Sequence, residues 1–513
     1  MIKSRKGINI LRPNVVLILV VLLLGTTLHL IGIGQPFLGN FAQHQTDYAT
    51  VVQKWLKTGI DPLHPAMRFL AHGRPRLFLG DIPFTMTIVA IICKITGLGI
   101  EVSGRGFSAF LFFLSLIPFY FILRRIFPDK EVVGWVIFFY VFSPLTVIYG
   151  QAFLLEIPAL TAGLFAYSLF LKGYWDSSKR YFIFSGLFFA VMISLRIYYA
   201  LLLMPPLLLM LLRCPPRISK IRDSLLLIFI SSSLPIAWHV YAYYKGMALD
   251  VESSLLDNLR VFVLDDPTRS KMAYGIDYYK PVFYIMMNKL LTPVGIVFVI
   301  ISVFMMQRGR RNIIAFLWFS IFAFSLGFWI APRKFIEFEY YYLPLVPFLA
   351  VLAGLSIFNL LRRFHFKRMI GASVIFFNIL LSIRFSISPL LIIPAEDRYV
   401  LEASSEVKEI VPEASRVIAS HGSSTSFLYY TERDGWAFQI SSGKKRAVRF
   451  KDELESNSIN QLELYKSQGA EYFAVSDRHQ LNREPMLKRY LEDNYERVDD
   501  SPRAIVYSLS TRV

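Results

Sequence analysis

Acidic side chains that could act as general bases occur between the apolar stretches of this chain. Asp47 lies in HQTDYATVVQKW, two residues after the pair His44-Gln45, in a short stretch with helix-forming character. A carboxylate just above a membrane lies close to a medium of low dielectric, where its proton affinity can be adjusted for base catalysis. The sequence leaves open that Asp47 is an ordinary loop acid that caps a helix.

A second polar group closes the same loop, in the sequence HGRPRLFLGDIPF. It contains Arg74 and Arg76, followed by Asp81. Guanidinium groups suit phosphate, which they bind with two parallel hydrogen bonds. The open alternative is that both arginines only extend their charged ends to the membrane interface.

Two more ionisable residues lie at the ends of apolar segments. Glu156, in YGQAFLLEIPAL, begins a predicted helix, where the helix dipole favours an acid. Arg196, in MISLRIYYALLLMPP, falls within apolar sequence, and ionisable groups at membrane depth usually have a function or a charge partner. A purely structural ion pair between Glu156 and Arg196 therefore remains an alternative.

A last polar group lies near the C-terminal end of the apolar region, in APRKFIEFEYYYLPLVPFLAVLAG. Arg333 and Lys334 come first, then two acids, Glu337 and Glu339, and then Tyr340–Tyr342. Cations at membrane level suit an anionic ligand, and a lipid phosphate or pyrophosphate is the natural candidate. The tyrosines alone would be typical of an interfacial aromatic belt.

The composition indicates that these groups belong to an integral membrane protein. Hydrophobic residues make up 55% of the 513, and the mean hydropathy is +0.47, above that of soluble domains. The net charge of +18 could indicate nucleic-acid binding, but the basic residues flank apolar segments, which favours membrane topology and anionic lipids instead. Cys93 and Cys214 give neither a disulfide framework nor the spacing of metal ligands.

Basic clusters occupy every second gap between the apolar segments, and the acids described above occupy the others. These clusters are Lys3–Arg12, Arg124–Arg125, Lys179–Arg180, Arg213–Arg222, Arg308–Arg311 and Arg362–Arg368. Because cytoplasmic loops carry the excess of Lys and Arg, the pattern predicts a multi-pass protein of the plasma (inner) membrane with a cytoplasmic N-terminus. The acids then gather on the outer face, and Arg333 and Lys334 are exceptions to the charge rule.

The fold class predicted is an all-α polytopic membrane bundle with about eleven transmembrane helices and additional juxtamembrane helices on the outer face. The segment 83–99 is expected to lie along or dip into the outer leaflet, since a crossing there would place the later basic loops outside. The predicted spans are 14–34, 107–123, 132–149, 157–171, 181–196, 197–212, 224–243, 285–306, 313–331, 340–361 and 369–393.

Two domains are predicted: a transmembrane domain, 1–393, whose first outer loop is 35–106, and a small extracytoplasmic α/β domain, 394–513. Beyond Pro394 the sequence becomes polar, and helical and strand patterns alternate. The predicted helices are 399–411, 457–469 and 484–494, and the predicted strands are 416–420, 427–431, 471–476 and 504–509.

Three stretches together resemble one family, the polytopic glycosyltransferases of the GT-C class. They are similar in particular to relatives of protein O-mannosyltransferases and of lipid A aminoarabinose transferase. The stretches are HQTDYATVVQKW, GDIPF and EYYYLPLVPFLAVLAG, and their order and common outward face carry the resemblance. The resemblance implies transfer of a sugar from a dolichyl- or undecaprenyl-type phosphate or pyrophosphate carrier to a glycan, lipid or protein acceptor on the outer side.

The resemblance also implies roles for individual residues. Asp47 would be the first-loop acid that activates the acceptor hydroxyl, and Asp81 and Glu156 would line the same cavity. The residues expected to bind the substrates, with the carrier phosphate held by their cations, are His44, Gln45, Arg74, Arg76, Arg196, Arg333, Lys334, Glu339 and Tyr341.

Two departures from the family pattern leave the chemistry of this site open. Many relatives have Asp-Glu where this chain has His44-Gln45, and a His often stands where this chain has Phe338. The site therefore has no certain cofactor, and a divalent cation stays an alternative. A phosphate leaving group needs charge neutralisation, and an inverting displacement needs one carboxylate on the opposite face.

Two other classes of function stay in view, and neither is a nucleic-acid binder. A transporter or flippase of lipid-linked glycans would explain the outer cations but not the acids gathered on that face or the C-terminal domain. A membrane-anchored scaffold would place the function in residues 399–513 and leave Asp47 without a role.

Overall fold

The computed structural model describes most of the chain. The described residues are 13–39, 42–176, 178–211, 218–249, 275–304, 311–421, 425–438, 440, 457–499 and 503–511. The basic cluster Lys3–Arg12 lies outside them, and so do parts of the clusters Arg213–Arg222 and Arg308–Arg311.

Helices dominate the described residues, as the hydrophobic pattern predicted, and each of the eleven predicted spans contains helix. The helices up to Leu249 are α1 (Pro13–Leu30), α2 (Ala42–Thr58), α3 (Phe84–Thr96), α4 (Ile100–Ile126), α5 (Lys130–Val141), α6 (Pro144–Gly150), α7 (Glu156–Asp176), α8 (Lys179–Leu195), α9 (Met204–Leu211) and α10 (Ile218–Leu249). Those that follow, up to Leu391, are α11 (Ile276–Ile285), α12 (Pro293–Phe304), α13 (Arg311–Ile330), α14 (Pro332–Glu337), α15 (Val346–Leu361) and α16 (Lys367–Leu391).

Within the described residues, four helical segments have the length and apolar composition of a membrane span. They are Ile100–Ile126, Arg222–Met247, Glu339–Leu361 and Lys367–Leu391. Two bent pairs of helices, each counted as one span, bring the number up to 6. The larger number of about eleven stays a prediction.

Proline interrupts two of the predicted spans. The span 132–149 is divided into α5 and α6, which are bent by 60° where Pro144 begins the second helix. The span 285–306 passes through a π-helix, Met286–Leu290, and turns by 97° before α12 begins at Pro293. A proline cannot donate to the preceding turn and disfavours helical backbone in the residue before it, so each helix restarts there.

The segment 83–99 forms α3, which is too short to cross a bilayer. Its 13 residues reach about 20 Å at the rise of an α-helix, against the roughly 30 Å of a hydrocarbon core. It ends at Gly97, whose φ of 70° terminates the helix in the left-handed region. The short helix is consistent with the predicted position along the outer leaflet, which stays a prediction.

One sheet of seven strands joins the first predicted outer loop, 35–106, to the C-terminal segment. Its order is β2-β1-β4-β3-β5-β7-β6, with a parallel centre from β1 to β5 and antiparallel pairs at both ends. The strands are β1 (Ala66–Ala71), β2 (Arg74–Leu77), β3 (Val417–Ser420), β4 (Gly435–Ala437), β5 (Tyr472–Val475), β6 (Tyr495–Asp499) and β7 (Ile505–Thr511). The hairpin β1–β2 turns at His72 and Gly73, which both have positive φ.

The C-terminal helices agree with the sequence pattern, but one predicted strand is wrong. The helices are α17 (Ala395–Ile410), α18 (Ser426–Thr431), α19 (Ser458–Ser467), α20 (Arg478–Asn482) and α21 (Pro485–Asn494). Residues 427–431 form α18 and not a strand, because parallel strands β3 and β4 need a crossover between them. The strand is instead β4, where Gly435 allows a close approach: a Cβ there would lie 1.8 Å from the carbonyl oxygen of Val417.

The hydrophobic core does not divide at the predicted boundary between residues 393 and 394. One continuous cluster contains Val51 of α2 and Phe153 before α7, together with Val400 of α17 and Phe427 of α18. A second cluster under the sheet includes Leu70 of β1. The first loop and the C-terminal segment therefore share both their sheet and their core.

Candidate active site

Arg196 is the centre of a polar cluster at the predicted outer ends of the helices, in which Glu156 and Tyr48 are buried and Arg196 and Asp81 are half-buried. Its Nε lies 2.6 Å from Oε1 of Glu156, and its Nη1 donates to Oδ2 of Asp81 at 2.8 Å. Its Nη2 donates to the hydroxyl of Tyr48 at 2.9 Å. All the nitrogens of one guanidinium group are thus directed at three different elements of the first loop and the bundle.

Local backbone structure explains why these side chains meet. Arg196 follows the last residue of α8 in extended conformation, with φ −149° and ψ 103°, so its side chain leaves the helix direction. Glu156 begins α7, and Asp81 lies between β2 and α3. The amide of Ile82 donates to the carbonyl of Ser194 at 3.4 Å, which holds this loop against the end of α8.

Burial changes the proton affinities of the groups at the loop side of this cluster. It raises the pKa of Asp81, while Arg196 and Lys334 act in the opposite direction. Burial also raises the pKa of Tyr48, so its hydroxyl is neutral. Burial lowers the pKa of Lys334 to about 8; Glu337 opposes this shift, and the nearby Arg196 and Arg333 add to it. Lys334 is therefore a cation that would gain from an anionic ligand.

Asp47 is a buried carboxylate on α2, apart from the contacts of the Arg196 cluster. Its Oδ1 accepts a hydrogen bond from the hydroxyl of Thr425 at 2.7 Å. Its Oδ2 lies 3.9 Å from Nδ1 of His44, one turn earlier. The contacts of Asp47 thus include a neutral hydroxyl donor and an imidazole.

The late tyrosine motif packs beside both acidic groups. The ring of His44 lies 5.4 Å from that of Phe338 and 6.2 Å from that of Tyr340. The guanidinium carbon of Arg196 lies 5.9 Å from the ring of Tyr340. Tyr340 therefore stands between the Asp47 side and the Arg196 side, and the first-loop and late motifs identified in the sequence do come together.

Three more predicted residues support the surroundings of these groups. Oε1 of Gln45 accepts from the amide of Phe153 at 3.1 Å, which attaches α2 to the chain before α7. The ring of Tyr341 stacks on that of Tyr198 at 4.3 Å. Glu339 forms an ion pair with Lys289, which is buried in the π-helix of the bent span.

The remaining predicted cations lie elsewhere. Arg333 is partly exposed, and its Nε donates to Oε1 of Glu337 at 2.7 Å, an ordinary pair one helical turn apart. Arg74 is exposed and Arg76 is buried, and both belong to the edge strand β2. The contacts that build the Arg196 cluster do not include these three arginines.

Sequence reasoning missed three residues that the structure brings to the site. Tyr48 was hidden inside a helix pattern, and nothing in the sequence links Thr425 to Asp47. Lys289 could have been identified from the sequence, because it is a lysine inside the apolar stretch YIMMNKLLTPVGIV, where an ionisable residue usually has a partner or a function.

A metal site is not evident among the described residues. Within them, no group of three or more His, Cys, Asp or Glu side chains is arranged to hold a metal ion. Asp81 and Glu156, two of the predicted site acids, both bind Arg196. A divalent cation therefore stays an alternative for this site.

Comparison with known proteins gives a family match over part of the chain. Residues 81–241 match the family described as dolichyl-phosphate-mannose-protein mannosyltransferase. This segment contains Asp81, Glu156 and Arg196. No curated protein sequence matches the chain.

Solved structures similar to this one cover nearly the whole chain. ArnT from Cupriavidus metallidurans bound to undecaprenyl phosphate has a TM-score of 0.60 at 11% identity, with 96% of this chain and 98% of that chain covered. The archaeal oligosaccharyltransferase AglB from Archaeoglobus fulgidus, in complex with an inhibitory peptide and a dolichol-phosphate, has 0.59 at 12%, covering 90% and 69%. The mycobacterial arabinofuranosyltransferase AftD has 0.55 at 12%, covering 97% and 40%.

These findings confirm the resemblance to the GT-C class that the three sequence motifs indicated. The family match covers the segment of the Arg196 cluster, and the similar structures share the fold over the length of the chain. The prediction of an integral membrane protein is also confirmed, and the particular membrane and the orientation stay predictions.

Proposed function

We propose that this chain, a glycosyltransferase of the GT-C class by its family match and its fold, moves a sugar from a polyprenyl phosphate or pyrophosphate carrier to an acceptor on the outer face of the plasma membrane. The observation that carries this proposal is the Arg196 cluster, whose three ionisable members, Asp81, Glu156 and Arg196, lie in the matched segment. Families that use lipid-linked donors need such a site at the membrane surface, because the carrier cannot leave the bilayer.

Asp47 is the general base in this proposal. An inverting transfer needs one carboxylate to take the proton of the acceptor hydroxyl while its oxygen attacks the anomeric carbon. Asp81 and Glu156 each contact Arg196 at less than 3 Å, so we assign them to the positioning of that guanidinium group instead. Asp47 has a hydroxyl donor on one oxygen, and its second oxygen faces His44.

Cations receive the leaving phosphate. As the bond from the anomeric carbon to the carrier oxygen breaks, its electron pair stays with the phosphate, whose growing charge needs stabilisation. Lys334 is the best placed of the predicted cations, because it lies close enough to Asp81 and Arg196 to interact electrostatically with both. Lys289 is a second candidate on the other side of the tyrosine motif, where it now binds Glu339.

The Arg196 cluster has an organising role. Glu156 and Asp81 offset the charge of Arg196, which fixes the relative positions of α7, α8 and the loop before α3. The two negative charges also prevent the site from becoming strongly cationic before the carrier binds. Removal of Arg196 would leave a buried carboxylate without a counter-ion, which is costly.

Purified protein in lipid nanodiscs tests the proposal directly. Wild type and the Asp47→Asn variant are incubated with a panel of polyprenyl phosphate and pyrophosphate sugars, with and without a divalent metal. Release or transfer of a sugar by wild type alone supports the reaction class, the donor and the base. Binding of a carrier by folded wild type without consumption of any donor would contradict it and favour a flippase or a scaffold.

A further inference from the structure

We infer that the C-terminal segment completes the active site, and that Thr425 is the positioning residue that orients the carboxylate of Asp47. This inference rests on the proposed role of Asp47 and deepens it. It concerns a residue more than three hundred positions away in the sequence, in the predicted extracytoplasmic domain.

The contact between these residues is direct and shielded from water. Thr425 donates its hydroxyl hydrogen to Oδ1 of Asp47 at 2.7 Å, and the hydroxyls of Thr425 and Thr46 lie 3.0 Å apart. All three side chains are buried. A carboxylate in such a place needs a donor, and a hydrogen bond to a charged group is among the stronger ones in proteins.

Thr425 is itself held in place by the helix that it precedes. Its carbonyl accepts from the amide of Tyr429 at 2.9 Å, in the first turn of α18. The hydroxyl of Tyr430, on the same helix, accepts from the amide of Phe37 at 2.6 Å. Helix α18 therefore contacts both the chain that leads into α2 and the residue of α2 that is the candidate base.

The rest of α2 is fixed to the C-terminal segment along one face. Beyond Thr46, Gln53 donates to the carbonyl of Tyr429 at 3.3 Å, and Lys57 forms an ion pair with Glu413. Positions 46, 53 and 57 are spaced by seven and four residues, so they lie on the same side of the helix. This side is covered by the C-terminal segment over almost the full length of α2.

The other face of α2 belongs to the membrane bundle. Gln45 and Tyr48, three residues apart, bind Phe153 and Arg196. Helix α2 is therefore held between two bodies, with Asp47 next to the boundary of the two faces. A shift of the C-terminal segment would move the carboxylate relative to the Arg196 cluster, which is attached to the bundle.

Ion pairs and the sheet strengthen the same connection. Nζ of Lys54 lies 2.8 Å from Oδ2 of Asp434, directly before β4. Arg68 of β1 donates to the carbonyl of Glu432 at 2.8 Å. Strand β1 then pairs with β4 in parallel at Phe69 and Gly435. The base is thus positioned by a hydroxyl at the end of an extended interface, and not by a flexible loop.

The test uses the full-length protein in nanodiscs with the donor that supports turnover. Thr425→Val keeps the shape and removes the donor, Thr425→Ser keeps the hydroxyl, and Thr431→Val is the matched control. Thr431 is a buried threonine of α18 whose hydroxyl bonds to the carbonyl of Leu428 in its own helix.

Loss of the hydroxyl should act on catalysis and not on donor binding. We expect Thr425→Val to lower kcat by about tenfold to a hundredfold with little change in donor KM, and Thr425→Ser to restore most of it. The control should stay close to wild type. Wild-type kcat in folded Thr425→Val, or an equal loss in the control, would overturn the inference.

A cross-link tests the same contact without any reliance on activity. With Cys93→Ser and Cys214→Ser as background, Thr46→Cys and Thr425→Cys should form a disulfide in the membrane-embedded protein on mild oxidation. If the cross-link forms but no donor is consumed by wild type, the proposed function fails and the contact stands. If it does not form, the positioning role fails, whatever the activity.

Discussion

The two acidic groups on the proposed outer face are built in opposite ways. Asp81 and Glu156 share one half-buried guanidinium group at 2.8 and 2.6 Å, whereas Asp47 accepts a hydrogen bond from a neutral hydroxyl and faces an imidazole. The contacts with Arg196 hold Asp81 and Glu156 in place, and burial raises the pKa of Asp81 against the influence of that cation. The difference therefore suggests a division of work, in which the Arg196 cluster fixes the site and Asp47 carries out the proton transfer.

The largest effect should come from Asp47→Asn. We expect transfer to fall by about a thousandfold, because an amide cannot accept the acceptor proton and a positioned base contributes roughly 10² to 10⁴. Turnover in nanodiscs and thermal unfolding are measured together, so that folding and catalysis are separated.

Asp61→Asn is the matched control for that variant. Asp61 is an exposed acid of the same loop, where it binds His64 at 2.8 Å, and we expect normal turnover. Wild-type turnover in Asp47→Asn would move the base to Asp81 or Glu156 and remove the distinction between the two groups.

Arg196→Met tests the Arg196 cluster, and we expect it to lower the free energy of unfolding. It leaves Glu156 buried without its cation, and loss of one partner of a buried pair costs about 3–5 kcal/mol of unfolding free energy. Denaturation in detergent micelles measures this loss. The double variant Arg196→Met/Glu156→Gln should recover part of the stability but not the transfer activity.

Full activity in that double variant would show that the cluster is only a support for packing. An unchanged unfolding midpoint in the single variant would mean that the pair contributes nothing to the fold. Either result would remove the organising role that separates this cluster from Asp47.

A smaller effect is expected at the cations. Lys334→Ala should raise the donor KM by roughly tenfold, whereas Arg333→Ala should change it only two- to threefold, because Arg333 is exposed and paired with Glu337. Initial rates at a series of donor concentrations distinguish the two. A larger effect at Arg333 would indicate that Arg333, which the sequence favoured equally, contacts the phosphate instead of Lys334.

The pH dependence gives Lys334 a second test. Its pKa is lowered to about 8, so the ammonium that attracts phosphate is present below that pH and is lost above it. We expect kcat/KM for the donor to fall as pH rises through about 8, and Lys334→Arg to move this alkaline fall to higher pH. An alkaline limb that does not move would assign it to another group.

The weakest perturbation tests the side of the membrane. Single cysteines at positions 366 and 440 should leave activity unchanged and should be labelled by impermeant reagents from opposite sides. The predicted topology places Phe366 in the cytoplasm and Ile440 outside, with both acidic groups. Labelling from the same side would mean that the segment 83–99 crosses the membrane after all.

Much of the fold was predictable because membrane helices are encoded locally. A long apolar run with basic residues at alternate ends identifies a helix and its direction without reference to the rest of the chain. The C-terminal helices α17, α19 and α21 could likewise be predicted from their own segments of sequence. The breaks at Pro144 and Pro293 follow from the prolines themselves, whereas the helix at 427–431 was not predictable locally, because strands β3 and β4 need a crossover between them.

The chemistry of the site was only partly predictable. Residue type and position singled out Asp47, Asp81, Glu156 and Arg196, since ionised groups beside apolar sequence need a reason to be there. Their partners could not be deduced, because each contact joins segments that are distant in sequence. Lys289 was detectable in principle, whereas Thr425 resembles any other threonine.

The sequence by itself thus determined a helical, strongly apolar chain that resembles the GT-C class, with its acids and cations distributed over identifiable loops. The tertiary structure alone decided which of these charges cancel one another, since pairing depends on a few ångströms between atoms. It also decided that the first loop and the C-terminal segment form one sheet and one core. Helix α2 needs a partner on each face, and only the folded chain shows which segments provide them.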